Sequence, residues 1–110
     1  MTYQRFWLAL MTFERRDVEQ EILPDWARGA SGWMVAIAPD EEAARELLVR
    51  DVECCGLRIL EVDKVREALS HKDVEVVDDH LARNLRQIEP GKQTVWGTVH
   101  GYRGEAQPES

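Results

Sequence analysis

Three histidines, His71, His80 and His100, are the residues whose chemistry most invites a metal or acid–base role. Helical metal sites use ligands three or four positions apart, and no two of these histidines have that spacing. Asp79 precedes His80 at a predicted helix start, where carboxylates commonly serve as caps. A site formed in space by His100 with Asp79 or His80 stays open as an alternative, but we expect no metal and no cofactor.

Nucleophilic catalysis would need a serine or cysteine that a neighbouring base activates. The candidate nucleophiles are Ser31, Ser70, Cys54 and Cys55, with His71 or His100 as the base. The two adjacent cysteines fall at the predicted end of a helix, where the negative end of the helix dipole disfavours a thiolate. Adjacent cysteines also rarely reach disulfide geometry. The sequence therefore predicts buried, unreactive thiols, no disulfide and no enzymatic activity.

The segment 94–102 is the most informative candidate for binding. If it is an extended strand, alternate side chains share one face, and one such set is Trp96, Thr98, His100 and Tyr102. Gly97 and Gly101 then lie on the other face, where they would let another element pack closely. Aromatic side chains with polar tips are common in binding surfaces. We predict that this face contacts a partner, together with Trp26; the open alternative is that Trp96 and Tyr102 are core residues.

Composition limits the class of protein and of partner. With 110 residues the chain has the length of one domain, 1–110, and its 44% hydrophobic content is enough for a packed core. Asp and Glu outnumber Lys and Arg by 21 to 14, for a net charge of −7, which argues against nucleic acid or an anionic membrane as partner. A macromolecular partner is expected to be a basic protein. The absence of a disulfide pattern and of a long apolar run predicts a cytoplasmic location.

The elements that position these residues begin with a strand at 3–13, which is apolar on both faces. Such a strand is either covered on both faces or presents one apolar face to another subunit. Residues 14–32 change in character and predict a long connection, either functional or pinned to the core by isolated apolar residues. A second strand starts at Trp33 and is stopped by Pro39. Residues 104–110 are predicted to be a frayed polar tail.

Capping residues set the limits of two predicted helices. Asp40 is a helix N-cap, and the apolar stripe that follows ends at Gly56, where glycine readily adopts a left-handed conformation. Residues 57–62 then predict a strand, and the valines of 73–77 predict a brief, weaker one. Asp78 caps a second helix, which carries apolar residues at spacings of four and three.

Across 33–102 the predicted order is strand, helix, strand, strand, helix, strand. This is the split βαβ order of a ferredoxin-like α+β sandwich, here with an extra N-terminal strand and with the helices on one face of a mainly antiparallel sheet. The weak point is the strand at 73–77, because its place would be central. If it is absent, we expect the first strand to take a central place in a four-stranded sheet, with both helices on one face.

The most economical functional hypothesis is a non-catalytic protein-binding module, comparable in size and charge to small inhibitor or immunity-type proteins. Two alternatives from other classes stay open. One is a small-ligand binding or enzymatic domain that uses His100 with Asp79 or His80. The other is a self-associating structural domain, a homodimer formed through the sheet or its first strand.

Overall fold

The computed structural model describes residues 4–16, 19–20 and 22–102, and within them four strands and three helices. The strands are β1 (Arg5–Arg15), β2 (Gly29–Ala38), β3 (Leu57–Ala68) and β4 (Thr94–Tyr102). The helices are α1 (Glu41–Cys54), α2 (His71–Glu75) and α3 (Asp79–Arg86). Tyr3, the predicted start of the first strand, and the predicted tail at 104–110 lie outside the described residues.

The strands form one antiparallel sheet in the order β3-β1-β2-β4. β1 lies at the centre, as its apolar composition predicts. Leu8 and Met11 point to opposite faces of β1, and both are fully buried. The α+β class, the antiparallel sheet and the central place of the first strand are therefore confirmed.

The strand predicted at 73–77 is wrong, because this part of the chain contains α2 and its C-cap. Val74 is fully buried and Val77 packs beside it in the same cluster, and this three-residue step is helical. Val76, between them, is 69% exposed. Two of the three valines of the segment thus pack a helical turn against the sheet. The ferredoxin-like arrangement is not confirmed, since the strand order differs from it.

Helices cover both faces of the sheet, so the expectation that they share one face is wrong. We call the two sides the α1 face and the α3 face. The α1 face packs its residues against α1, and its buried side chains include Ala9, Met11, Phe13, Met34, Ala36, Leu48 and Val52. The α3 face packs against α2 and α3, and its buried side chains are Leu8, Val35, Ala68, Val74, Leu81, Ala82, Leu85 and Val95. Successive residues of β1 thus enter two separate cores.

The connection predicted at 14–32 is shorter, because both flanking strands extend into it and Glu14 pairs with Gly29. The connecting segment spans 16–28. Leu23 and Ala27 are buried in the core on the α1 face, which confirms that apolar residues pin the segment down. The Arg15 guanidinium also donates to the carbonyl oxygens of Pro24, at 2.8 Å, and of Ala27, at 2.7 Å.

The predicted helix signals are confirmed at three positions. The Asp40 carboxylate accepts a hydrogen bond from the backbone N–H of Ala43 at 2.8 Å and caps α1. Gly56 follows that helix with a φ of 84°, the left-handed region that a side chain would disfavour. Asp78 caps α3 by accepting from the backbone N–H of Leu81 at 3.1 Å. Short-range chemistry therefore fixes where these helices begin or end.

Candidate functional site

The α3 face is covered by helices at one end only. Phe6, Leu8 and Val95 lie under or beside α2 and α3. Farther along the same strands, side chains on this face are only partly buried or exposed. Strand register places together Leu10, Thr12, Ser31, Trp33, His100 and Tyr102, a set that we call the open half. Of this set, Trp33 packs at the edge of the cluster that α2 and α3 form, and no described helix lies over His100 or Tyr102, which are exposed.

A cavity of about 300 Å³ lies where the open half meets the junction of α2 and α3. Its apolar walls come from Leu10, Trp33 and Val77. Its polar groups come from β2 (Ser31), from the start of α3 (Asp78) and from β4 (Thr98 and His100). The described residues that line it are Leu10, Ser31, Gly32, Trp33, Val77, Asp78, Thr98 and His100. This mixture of apolar walls and a few convergent polar groups is typical of a binding site.

A register shift in β4 divides the predicted contact face. Val95 and Trp96 pair regularly with β2, whereas Gly97 and Thr98 lie where the ladder is interrupted. The extra residue reverses the alternation beyond it. Trp96 therefore lies on the α1 face, and His100 lies on the α3 face opposite Ser31. The prediction that these two side chains share one face is wrong.

Trp96 is fixed inside the protein by two sets of contacts. Its indole Nε1 donates to Asp51 Oδ2 at 2.9 Å, and the Thr94 hydroxyl donates to the same oxygen at 2.7 Å. Its ring meets Phe13 edge-on, with centroids 5.6 Å apart. Trp96 thus joins β4 to α1 and the core, which agrees with the alternative that it is a core residue.

The other predicted contact residues lie at one end of the sheet. Tyr102 is 36% exposed and pairs with Gly29 on the α3 face. Trp26 is 51% exposed and lies over Gly101 on the α1 face, where an added Cβ would come within 3.0 Å of its ring. Tyr102 therefore extends the open half, and Trp26 lies on the other side of the same end.

Asp78 holds the wall of the cavity together. Besides capping α3, its carboxylate accepts from the backbone N–H of Thr98 at 2.8 Å and from the Thr98 hydroxyl at 3.3 Å. A Cβ at Gly97 would lie 2.6 Å from Asp78 Oδ2 and 2.8 Å from Leu81 Cβ, so glycine is what permits this close approach. The prediction that Gly97 admits a closely packed helix is thereby confirmed.

Burial raises the pKa of the Asp78 carboxyl, but hydrogen bonds from the backbone N–H groups of Thr98, Leu81 and His80 and from the Thr98 hydroxyl outweigh it. The net effect is a pKa below the ordinary value. Because the folded pKa is the lower one, the ionised carboxylate stabilises the fold above about pH 4, the unfolded value, and that stabilisation is lost as pH falls through the folded pKa.

We therefore expect the stability difference between the wild type and Asp78→Asn to be largest at neutral pH and to shrink as the pH falls below the unfolded value of about 4 and through the lower folded pKa. The reason is that only the wild-type side chain titrates. Urea unfolding at several pH values measures the difference. A gap that stays constant over this range would contradict the assignment of the low pKa to Asp78.

The histidine site left open by the sequence is placed differently in the structure. Asp79 pairs with Arg83 at 2.8 Å on the exposed side of α3, and His80 is exposed beside it. The carboxylate that shares the cavity with His100 is Asp78. Ser31, one of the candidate nucleophiles, lies opposite His100 across the ladder and lines the same cavity.

Both cysteines are free, and they differ in exposure. Cys54 is exposed, so the prediction that both thiols are buried is wrong for this residue. Burial, followed by the neighbouring charges of Asp51 and Cys54, raises the pKa of the partly buried Cys55 thiol. A raised pKa keeps that thiol protonated and agrees with an unreactive Cys55.

Unpaired acidic groups border the open half. Glu61 lies opposite Thr12 and Asp63 lies opposite Leu10, so both share the α3 face, and both are exposed. Within the described residues neither carboxylate has an ion-pair partner. The described lining of the cavity also contains no lysine or arginine. On the same face Arg66, opposite Leu8, is exposed and carries a positive charge, so the described surroundings contain two acids, Glu61 and Asp63, and this one base.

Among the described residues, no helix has the length and apolar character needed to span a membrane. No group of three histidine, cysteine, aspartate or glutamate side chains among them is arranged to hold a metal ion.

The open half includes residues that sequence reasoning missed. Leu10 and Trp33 belong to apolar segments in which every residue is a candidate for burial. That these two residues are neighbours follows only from the pairing of β1 with β2. Asp78 was assigned only as a helix cap. Nothing in the sequence indicates that the carboxylate of Asp78 and the glycine-containing strand β4 meet in space.

Comparisons with protein-family models, curated proteins and solved structures find no significant match to this chain.

Proposed function

We propose that this protein is a non-catalytic binding module whose contact surface is the open half, with a basic protein as its partner. The observation that carries the proposal is the unequal cover of the α3 face. Leu8 is fully buried beneath the helices, whereas Tyr102 on the same face is 36% exposed. Along this face Trp33 and His100 lie between Leu8 and Tyr102. Their rings combine aromatic surface with polar nitrogen atoms, as is common in binding surfaces.

Charge supports a basic partner rather than a neutral one. Glu61 and Asp63 border the surface without ion-pair partners among the described residues, and the chain carries a net charge of −7. Complementary charge at the rim of an interface speeds association and makes it sensitive to salt. The same charge argues against nucleic acid as the partner.

The inhibitor-like, non-catalytic character rests on how Asp78 is used. Its two carboxylate oxygens accept from Leu81 and Thr98, so the acid of the cavity stabilises the fold instead of orienting His100. A catalytic histidine normally has such an orienting partner. The two free cysteines support a reducing, cytoplasmic setting for this module.

The second candidate function is small-ligand binding, favoured by one specific observation. Ser31 and His100 face each other across the ladder and line the cavity together with Asp78. A ligand held there would shift the ring proton signals of His100, which NMR can follow. His100 ring signals that stay unchanged across a screen of small acids, amines and sugars would count against this candidate.

Self-association by edge-to-edge strand pairing is disfavoured by the state of both edge strands. On β4, the Asn84 side chain donates to the carbonyl oxygen of Trp96 at 2.9 Å, and Asp78 takes the Thr98 N–H. On β3, two register shifts interrupt the ladder, and Lys64 adopts a φ of 53°. Occupied backbone groups and irregular edges hinder the addition of a further strand.

The test is capture of the partner by the tagged protein in lysate of its source cells, with exposed residues of the open half replaced. We expect His100→Ala together with Tyr102→Ala to weaken capture at least about tenfold, since aromatic residues commonly dominate interface energies. Wild-type capture should also decrease at high salt.

Leu69→Ala is the matched control, because Leu69 is 82% exposed and lies at the other end of β3, beyond Ala68. It should leave capture unchanged. Equal capture by the wild type and the double variant, or an equal loss on Leu69→Ala, would overturn the proposed surface.

A further inference from the structure

The cavity at the rim of the open half has the two kinds of wall that a long cationic side chain needs. Trp33, Leu10 and Val77 provide apolar surface along which a methylene stem can lie. Ser31 and Thr98 provide hydroxyl acceptors. With about 300 Å³, the cavity is at the lower limit for small-molecule sites, which suits a single side chain rather than a secondary-structure element.

The charge of the cavity selects a cation over an anion. The N-terminus of α3 would by itself attract an anion, but the Asp78 carboxylate already caps it. That carboxylate adds a negative charge to the lining, to which the described residues contribute no lysine or arginine. Outside the lining, Asp63 opposite Leu10 and Arg66 opposite Leu8 carry opposite charges on the same face, so the negative charge of the cavity comes from Asp78.

Trp33 distinguishes between the two common cationic side chains. The planar guanidinium group of arginine stacks on an indole ring and presents five donors in a fixed fork. An ammonium group has a compact, strongly hydrated charge and cannot stack in this way. An aromatic wall next to hydroxyl and carboxylate acceptors therefore matches arginine better than lysine.

We infer that the cavity lined by Trp33, Asp78 and Thr98 is a specificity pocket for an arginine side chain of the partner. This inference rests on the proposed function, because it names the group by which the basic partner is recognised. The guanidinium stacks on Trp33, and its N–H groups donate to the hydroxyls of Ser31 and Thr98. The Asp78 carboxylate contributes its negative charge, because its oxygens already accept hydrogen bonds from within the protein.

The test uses three blocked pentapeptides, acetyl-Gly-Ser-X-Ser-Gly-amide, in which X is arginine, lysine or citrulline. Citrulline keeps the shape of arginine and removes its charge. Each peptide is titrated into the full chain labelled with ¹⁵N. We expect the arginine peptide to shift the Trp33 indole and Thr98 amide signals saturably, with an affinity at least about tenfold higher than that of the citrulline peptide and above that of the lysine peptide.

Two variants keep the test decisive. Trp33→Leu should remove the preference for arginine over lysine, and Asp78→Asn should reduce the preference for arginine over citrulline severalfold. The signal of the Leu81 amide, which Asp78 caps, reports whether α3 remains folded in each variant. Leu69→Ala, at the other end of β3, should bind the arginine peptide as the wild type does.

The inference is overturned if arginine and citrulline peptides bind equally, or if the shifts map to the outer side of α1 instead of the cavity. Failure of the pocket and failure of the proposed function give different results. A partner captured through His100 and Tyr102, without any arginine preference, would remove only the pocket. Arginine binding at the cavity without any partner that depends on the open half would remove the binding module and leave a site for small cations.

Discussion

Leu8→Ala lowers the free energy of unfolding by about 2–5 kcal/mol, which is the expected cost of truncating a fully buried leucine. Leu8 has no exposed surface and packs on the α3 face, in the core formed with Val35, Val74 and Leu81. If helices covered only the α1 face, this side chain would lie in solvent and its truncation would cost less than about 0.5 kcal/mol. The size of the loss thus reports on the two-sided architecture.

Leu10→Ala is the matched control, since Leu10 is the same residue type on the same face of the same strand, two positions farther along. It lies in the open half and is only partly buried, so its truncation should cost about 1 kcal/mol or less. Urea unfolding followed by circular dichroism measures both values. Equal losses for the two variants would contradict the unequal cover of this face.

Asp78→Ala lowers the free energy of unfolding by about 2–4 kcal/mol, because it removes two functions at once. The N-cap of α3 is lost, and the backbone N–H of Thr98 loses the acceptor that holds the register shift of β4 against the helix. Cap losses alone typically cost about 1 kcal/mol. The loss of unfolding free energy beyond that value measures how much the hydrogen bond from the Thr98 N–H to Asp78 stabilises the contact between α3 and β4.

Asp40→Ala isolates the capping part, because Asp40 caps α1 with a 2.8 Å hydrogen bond from Ala43 and has no comparable link to a strand. We expect it to cost about 1 kcal/mol. Thermal and urea unfolding of both variants give the comparison. If the two substitutions cost the same, Asp78 is only a helix cap and the wall of the cavity is not held by its contact with Thr98.

The parts of the fold that could be predicted from the sequence are those fixed by short-range chemistry. Asp40 and Asp78 cap helices because a carboxylate can reach an N–H two or three residues ahead, whatever the rest of the chain does. Gly56 ends α1 because its positive φ is a local requirement. The two-sided burial of β1 could also be predicted, since an apolar run on both faces has no stable place at an edge.

The errors arose where long-range packing overrides local preference. Val74 and Val77 have β-branched side chains, but their helical spacing lets both enter the core on the α3 face, and that burial outweighs strand propensity. The single face for both helices was an extrapolation from the ferredoxin-like order. No local pattern indicates on which side of the sheet a helix will pack.

The candidate site was predicted in part, for a similar reason. His100 and Tyr102 lie on the surface as predicted, but Trp96 does not, because one extra residue near Gly97 reverses the alternation of β4. At that irregularity the Thr98 N–H donates to Asp78, a residue twenty positions away in the sequence. Trp33 and Trp96 are both partly buried, but Trp33 lies on the α3 face with His100, and only the pairing of β1, β2 and β4 reveals this.

The most direct test of the open half as the contact surface is site-specific photo-cross-linking in the source cells. Tyr102 is replaced by p-benzoylphenylalanine in one variant, and Leu69 or Glu46 in two others, at the far end of the sheet and on the exposed side of α1. The predicted result is one discrete, salt-sensitive protein adduct from position 102 and none from the other two. Adducts from position 69 or 46 with none from position 102 would contradict the assignment of the contact surface.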